Sequence, residues 1–543
     1  MATLVSAGVS VTIIDESFFI PVSAPTVPLF FIATQANKKQ PDGVSTAAYT
    51  NEHSVVRTIT SIGQLTQSYG VPAFRTAAED STLPVSQRRQ LHGDARNEYG
   101  LMAMTQFLGI GNLCYAVRAD VDLADKPLTA IVAGDATFTS VSGASELPKG
   151  DLVDFAVNGE NKTAEIWNLT CISTGDGIEE FSVTGSVSGV SDLQARAGRL
   201  YDNGMISFEI TRGETDFEVG DNFEVQLVES TVGSELGAND AAKRVAIVTA
   251  LQAEINSNQE VRSETYEYNL ILCPGYHEVV DEMLALSQSI NDEAFVIADT
   301  PFDKNADDVA LWGKTTARKN GSSVAYYYPH ALASNLDGID VFVASSGIAL
   351  RTIAYSDSVA ELWFAPAGVR RGLVTGISTT GYVTGTLGTP TKFVEVNLNQ
   401  GQRDNLYQYY TNINPIAYFP GRGFVVFGQK TSAPAASSLD RINVARLLMY
   451  IKRALRKGAF PFLFEPNDQI TRDNLKASVD GFLGDILVKR GLYDFVTLCD
   501  ASNNTATRID RNELWCDVAL KPVKAAEFIY IPVRVLSTGA KMP

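Results

Sequence analysis

Charge is distributed unevenly along this chain, and that bounds the fold before any motif does. Between residues 121 and 239 there are 21 Asp and Glu against 6 Lys and Arg, so 15 of the 18 net negative charges fall there and the rest is close to neutral. The same window is written as short strands: "DATFTSVSG", "DLVDFAVNG", "KTAEIWNLTCIST", "EEFSVTGSVSG", "MISFEITRG" and "NFEVQLVES". Turn signals such as "NGEN" and "TGDG" separate them. An all-β module with an acidic, solvated exterior is expected at 121–239, inserted into a domain that resumes on its far side. The acid serves either to keep the module soluble or to meet a cationic ligand.

Around the insert the pattern changes. "VPLFFIATQ" and "LCYAVRA" read as strands with the helical "NEYGLMAMTQFLGIG" between them. Beyond it come the helical "NDAAKRVAIVTALQAEINS", the buried strand "YNLILCPG", the helical "VVDEMLALSQSINDE" and the strand "AFVIADTP". Strand and helix alternating across Gly and Pro breaks predict an α/β layer with a mixed sheet. At 543 residues the chain exceeds a single core, and roughly two to four domains are expected.

The last hundred residues predict an α+β unit. Its first helix, about Leu439 to Lys457, carries Arg441, Arg446, Lys452, Arg453, Arg456 and Lys457 on one arc, with Val444, Leu447, Leu448, Ile451 and Leu455 opposite. No acidic residue interrupts Arg441 to Lys457, and Gly458 is the expected stop. A second helix, about Thr471 to Arg490, buries Leu475, Val479, Phe482, Leu483, Ile486 and Leu487, with Gly491 at its end.

Both ends of the chain alternate at period two. Near the start Val9, Val11 and Ile13 share a face ahead of the proline-rich "IPVSAPTVP". From Glu527 to Val535, Ile529, Ile531, Val533 and Val535 face one way and Phe528, Tyr530 and Arg534 the other. Pro532 cannot donate to a ladder, which places this strand at an edge. An unshielded terminal edge strand is an aggregation hazard unless a partner covers it.

The search for chemistry returns nothing. The four histidines, His53, His92, His277 and His330, show no metal-binding spacing, and the five cysteines form no CxxC pair. "WGKTTAR" has Asp308 where a phosphate loop needs its first glycine, and "GIGNLC" lacks the third glycine of a dinucleotide turn. A dispersed Ser/His/Asp triad stays open, because triads are recognised by geometry. Asp299, after "AFVIA", is either such a carboxylate or a strand-end cap. No catalytic, cofactor-binding or metal residue is assigned. The acidic balance disfavours direct nucleic-acid binding, and no signal peptide or membrane span is read.

Several segments together resemble the contractile tail sheath proteins of bacteriophages: "LWFAPAGVRRG", "NINPIAYFPGRGFVVFGQKT", "FEPNDQITRDNLKASVDGFLGDILVKRGLYDFVTLCDASNNT" and "IDRNELWCDVALKPVKAAEFIYI". Their order and spacing carry the resemblance, closely over the last 180 residues or so. It implies a non-enzymatic structural subunit that uses no cofactor. Such subunits stack as hexameric rings around a tail tube and contract to drive it through the host envelope. It implies an α/β core likened to subtilisin without a working triad, and terminal arms that pair with neighbouring copies. The implied partners are the chain itself, the tube, the baseplate and the tail terminator. The implied setting is the virion tail, after assembly in the host cytoplasm.

Residues 1–22 and 527–543 are then arms, 23–120 with 240–430 the α/β core, 121–239 the insert and 431–526 the C-terminal α+β domain. The basic arc at Arg441 to Lys457 is the expected tube-facing surface, with the second helix, through Arg472, Lys476 and Lys489, competing for that role. Rival readings are the sheath of a bacteriocin or other contractile injection system, a cytoplasmic α/β hydrolase, and a rigid capsid or baseplate protein.

Overall fold

A computed structural model describes residues 26–84, 87–142, 149–158, 163–317, 321–384 and 392–531. Residues 1–124 and 239–543 form one compact unit, and Asp125–Ala238 forms another.

The first unit is built on eight strands: β1 (Pro28–Thr34), β2 (Val56–Ile59), β3 (Cys114–Asp122), β4 (Leu270–Leu272), β5 (Phe295–Asp299), β6 (Val324–Tyr328), β7 (Ile413–Phe419) and β8 (Gly423–Val426). They lie in the order β2-β3-β1-β4-β5-β6-β7-β8. The six from β3 to β7 run parallel, and β2 and β8 close the edges antiparallel. Every residue of β1, β4, β5 and β6 is buried. Such continuous apolar runs suit parallel strands covered on both faces.

Helices α1 (Tyr99–Leu108), α2 (Asp240–Ser257) and α3 (Ser345–Val359) pack on this sheet. Asn239 starts α2 by accepting the Ala242 amide at 2.9 Å. All ten residues of α1 are buried, and it packs against α3. A Cβ at Gly347 would lie 2.9 Å from that of Ala103, so glycine sets this close approach. A four-stranded antiparallel sheet (Asp340–Val343, His330–Ser334, Thr379–Thr384, Lys392–Glu395) extends the unit.

The C-terminal region contributes α4 (Ile442–Ala459), α5 (Gln469–Val488), β9 (Leu492–Leu498) and β10 (Asp517–Pro522). Asp468 opens α5 by accepting the Thr471 amide at 2.9 Å. Leu447 and Ile451 of α4 join Leu475, Val479, Leu483 and Ile486 of α5 around Trp363. Ile442 and Ala445 of the same helix belong to the core beside the large sheet. Helix α4 is thus shared by two cores. The C-terminal residues lie in the same compact unit as the α/β layer, where the sequence suggested a separate domain. Gly458 lies inside α4 and does not end it.

The second unit is all antiparallel β. One sheet orders Pro127–Thr139, Asn222–Ser234, Ile166–Ser173, Glu180–Gly185 and Gly189–Val190, and a three-stranded sheet joins Leu200–Asp202, Ile206–Ile210 and Leu152–Val157. Trp167, Phe181, Phe208, Phe217 and Phe223 fill the core. Among the described residues Lys149 is a cation buried there, its Nζ 3.1 Å from Asp221 Oδ2. That carboxylate also accepts the Glu218 and Val141 amides at 2.7 and 3.0 Å, which satisfies the buried charge.

Candidate functional site at the roots of the two arms

Helix α4 was expected to present six cations to solvent, and the structure corrects this. Arg446 is 5 % exposed and grips Asp357 of α3 through two hydrogen bonds, Nη1 to Oδ1 at 3.0 Å and Nη2 to Oδ2 at 2.5 Å. Arg453, 7 % exposed, donates to the carbonyls of Tyr268 and Glu293. Arg456 pairs with Glu264 at 3.1 Å and Glu293 at 2.8 Å, and Lys457 pairs with Glu267 at 2.5 Å. Only Lys452 of the six is exposed without an ion-pair partner among the described residues. A helix held between two cores turns its charged arc toward the molecule's own carboxylates.

Arg441, at the N-cap of α4, has a different use. Its guanidinium donates to Glu527 from Nε to Oε1 at 2.6 Å and from Nη2 to Oε2 at 3.0 Å. Gln429 Nε2 donates to the same carboxylate at 3.2 Å, and Asp440 lies 2.9 Å from the guanidinium. Burial works against the Arg441 charge, but Glu527 prevails and raises its pKa. Next to this pair Tyr407 is pushed up, by burial first and then by Glu527. Glu527 is where the C-terminal arm was expected to begin.

Beyond Glu527 the described chain is bare. Phe528, Ile529, Tyr530 and Ile531 are 70, 78, 87 and 79 % exposed and take part in no strand. Val533 and Val535 lie outside the described residues, as do Val9, Val11 and Ile13 of the N-terminal arm.

The first described residue is Thr26, whose hydroxyl donates to Asp357 Oδ2 at 2.5 Å. Asp357 is the carboxylate that Arg446 holds. Thr26 and Glu527 are therefore both tied to α4, through Arg446 by way of Asp357 and through Arg441. The sequence reading missed Glu527, Asp357 and Thr26 as parts of this site. One signal was present: Glu527 is the only acidic side chain after Asp517.

β9 and β10 form a two-stranded antiparallel sheet on α5. No third strand joins it among the described residues, and Tyr493 and Val496 are each 63 % exposed. An antiparallel pair that no third strand joins is the kind of edge to which an extended segment can add.

The residues of a dispersed triad do come together, but wired differently. Asp299 Oδ1 accepts the Ser346 amide at 2.7 Å and the Ser345 hydroxyl at 3.0 Å, and Oδ2 accepts the Gly275 amide at 2.8 Å. His330 Nδ1 accepts the Ser345 amide at 3.1 Å, while Nε2 faces the Thr300 carbonyl at 3.1 Å. The serine hydroxyl donates to aspartate instead of histidine, and all three side chains are buried. Burial pushes His330 down to about 4, with the Asp299 charge opposing it. The cluster caps α3 and offers no nucleophile to solvent. Among the described residues no group of three or more His, Cys, Asp or Glu could hold a metal ion, and no helix is long and apolar enough to cross a membrane.

Comparison with known proteins gives this geometry its context. Residues 435–535 match the phage tail sheath C-terminal domain. Over 187 residues the chain is 39 % identical to the tail sheath protein of Vibrio phage KVP40 and 31 % identical to that of Enterobacteria phage T4. Over these residues the chain is similar to contractile phage tail sheath proteins. The matched stretch is 34 % of this chain, and it spans 26 % of the length of either curated sheath protein. The sheath fold extends much further than that stretch. The contracted sheath complex of PVC, an extracellular contractile injection system, aligns over 98 % of both chains at 13 % identity with a TM-score of 0.54. The contracted helical sheath of the anti-feeding prophage aligns over 98 % of this chain and 99 % of its own, at 15 % identity and a TM-score of 0.53.

Proposed function

We propose that this chain is the repeating subunit of a contractile phage tail sheath. It polymerises as stacked hexameric rings around a tail tube and contracts to drive the tube through the host envelope. The observation that carries this is that exposed apolar residues, Phe528 to Ile531, occur in the same chain as a two-stranded sheet that no third strand joins among the described residues. The residues exposed on one copy and the edges left free on another are chemically complementary. Strand addition of four to six backbone hydrogen bonds, each about 0.5–1.5 kcal/mol net, joins copies strongly enough in a lattice and leaves the bodies free to turn.

The described residues offer no nucleotide-binding loop, so contraction in this reading runs downhill from an extended assembly trapped by kinetic barriers. The tube, the baseplate and the tail terminator are the partners, and the virion tail after assembly in the host cytoplasm is the setting. Of the basic arc only Lys452 is left for a tube, so a broad ionic contact by α4 is not part of the proposal. The α/β core is read as a subtilisin-like layer without catalysis, supported by an Asp, His and Ser that meet but only cap a helix.

The sheath of another contractile injection system is the second reading, favoured by the likeness to the PVC sheath. The higher identity to phage sheaths places the phage reading first. Electron microscopy of the purified chain is the test. Hollow striated cylinders of two lengths are expected, and monodisperse compact particles at every concentration would refute it.

A further inference from the structure

We propose that Cys499 and Cys516 are a redox pair that closes into a disulfide across the base of the β9–β10 sheet. The register runs from Leu492 opposite Pro522 to Leu498 opposite Asp517, so the next step outward sets Cys499 against Cys516. Directly opposed residues of an antiparallel pair have Cα atoms about 4.5–5.5 Å apart, within the range of about 4.4–6.8 Å that a disulfide spans.

The neighbours of both cysteines are pinned. Asn503 Nδ2 donates to the Leu498 carbonyl at 2.8 Å, the Trp515 carbonyl at 3.2 Å and Asp517 Oδ2 at 3.0 Å. Asn504 Oδ1 accepts the Trp515 amide at 2.7 Å. The two thiols are therefore held facing one another by backbone that needs no rearrangement. They also differ in access: Cys499 is buried and Cys516 half-buried. Burial raises both thiols, and the neighbouring Cys499 helps push Cys516 up to about 12. The pair stays reduced where soluble thiols dominate and oxidises slowly where they do not.

The oxidant is a soluble disulfide such as oxidised glutathione. The Cys516 thiolate attacks one glutathione sulfur, forming a mixed disulfide and releasing one reduced glutathione. The Cys499 thiolate then attacks Cys516 Sγ and releases the second. Two protein thiols lose two electrons, the glutathione disulfide gains them, and the two protons leave on the glutathiones. The closed bridge joins the ends of the 499–516 connection and stiffens the sheet on which the arms dock, a consequence that rests on the sheath reading.

The test is thiol counting on the purified full chain. Alkylation after denaturation should label five cysteines before treatment with oxidised glutathione and three after it, namely Cys114, Cys171 and Cys273. Peptide mapping should show Cys499 linked to Cys516 with a loss of two hydrogens. Hydrogen exchange in β9 and β10 should slow on the order of tenfold or more after oxidation. Cys499→Ser should instead hold a glutathione adduct at Cys516. A stable glutathione adduct at Cys516 in the unaltered chain, Cys516-linked dimers, or five free thiols after treatment would each overturn the proposal. Bridge formation in a chain that never builds cylinders would count against the sheath reading alone.

Discussion

Arg441 holds Glu527 through two charge-assisted hydrogen bonds of 2.6 and 3.0 Å, from the N-cap of α4 to the residue just before the exposed Phe528–Ile531. Five residues along the same helix Arg446 holds Asp357, and Asp357 holds Thr26. Both contacts converge on one helix, and that helix is embedded in two cores.

Replacing the carboxylate should loosen the arm and spare the fold. Glu527→Gln removes a half-buried charged partner, about 1–2 kcal/mol of local anchoring. Because Glu527 follows the last described strand, the urea midpoint should stay within error. The protein concentration needed for cylinders should rise about tenfold. A shifted midpoint with unchanged assembly would assign the pair to stability instead.

The deeper pair should behave in the opposite manner. Arg446→Met leaves the Asp357 carboxylate buried without its cation, a change that costs about 3–5 kcal/mol. Equilibrium urea unfolding should show that loss, and adding Asp357→Leu should recover most of it. The recovered double variant still lacks the acceptor for Thr26, so its cylinders should remain poor.

Stability should fall on mild acidification through His330. Burial holds its pKa at about 4 against an ordinary 6.5, so the unfolded chain binds the proton more readily than the folded one. The contribution is complete above the unfolded value and is lost as pH drops from there toward 4. Between pH 7.5 and 5.5 the unaltered chain should lose on the order of 1 kcal/mol from this group. Urea midpoints at the two pH values measure the loss, and His330→Gln should flatten the slope. His92 and His277, lowered by burial first, act in the same direction and set the remaining slope.

Ser345 should be structural. Its hydroxyl caps a network centred on Asp299, so Ser345→Ala should cost about 1–2 kcal/mol in unfolding experiments. A fluorophosphonate probe should label neither the variant nor the parent chain. Labelling of the parent that disappears in the variant would establish a catalytic serine.

The large features were legible because they are written as periodicity and composition. The apolar runs "LIL" and "FVIAD" became fully buried parallel strands, and the acidic window became an all-β unit at Asp125–Ala238. The alternation from Phe528 to Ile531 fell on exposed residues that pair with no strand among the described residues. The basic helix was misread for a physical reason. A helical projection shows which charges share an arc, but not that Glu293, Asp357 and Glu527 arrive from distant segments to meet them. Likewise Asp299, His330 and Ser345 are separated in sequence, and only geometry shows a cap where a triad was open.

Hydrogen exchange at residues 528–531, compared between the isolated chain and assembled cylinders, tests the central claim most directly. The account predicts exchange at nearly the unprotected rate in the isolated chain, and strong protection once copies join. Equal protection in both would mean that the arm is satisfied by its own body, and neighbour pairing would not be what builds the sheath.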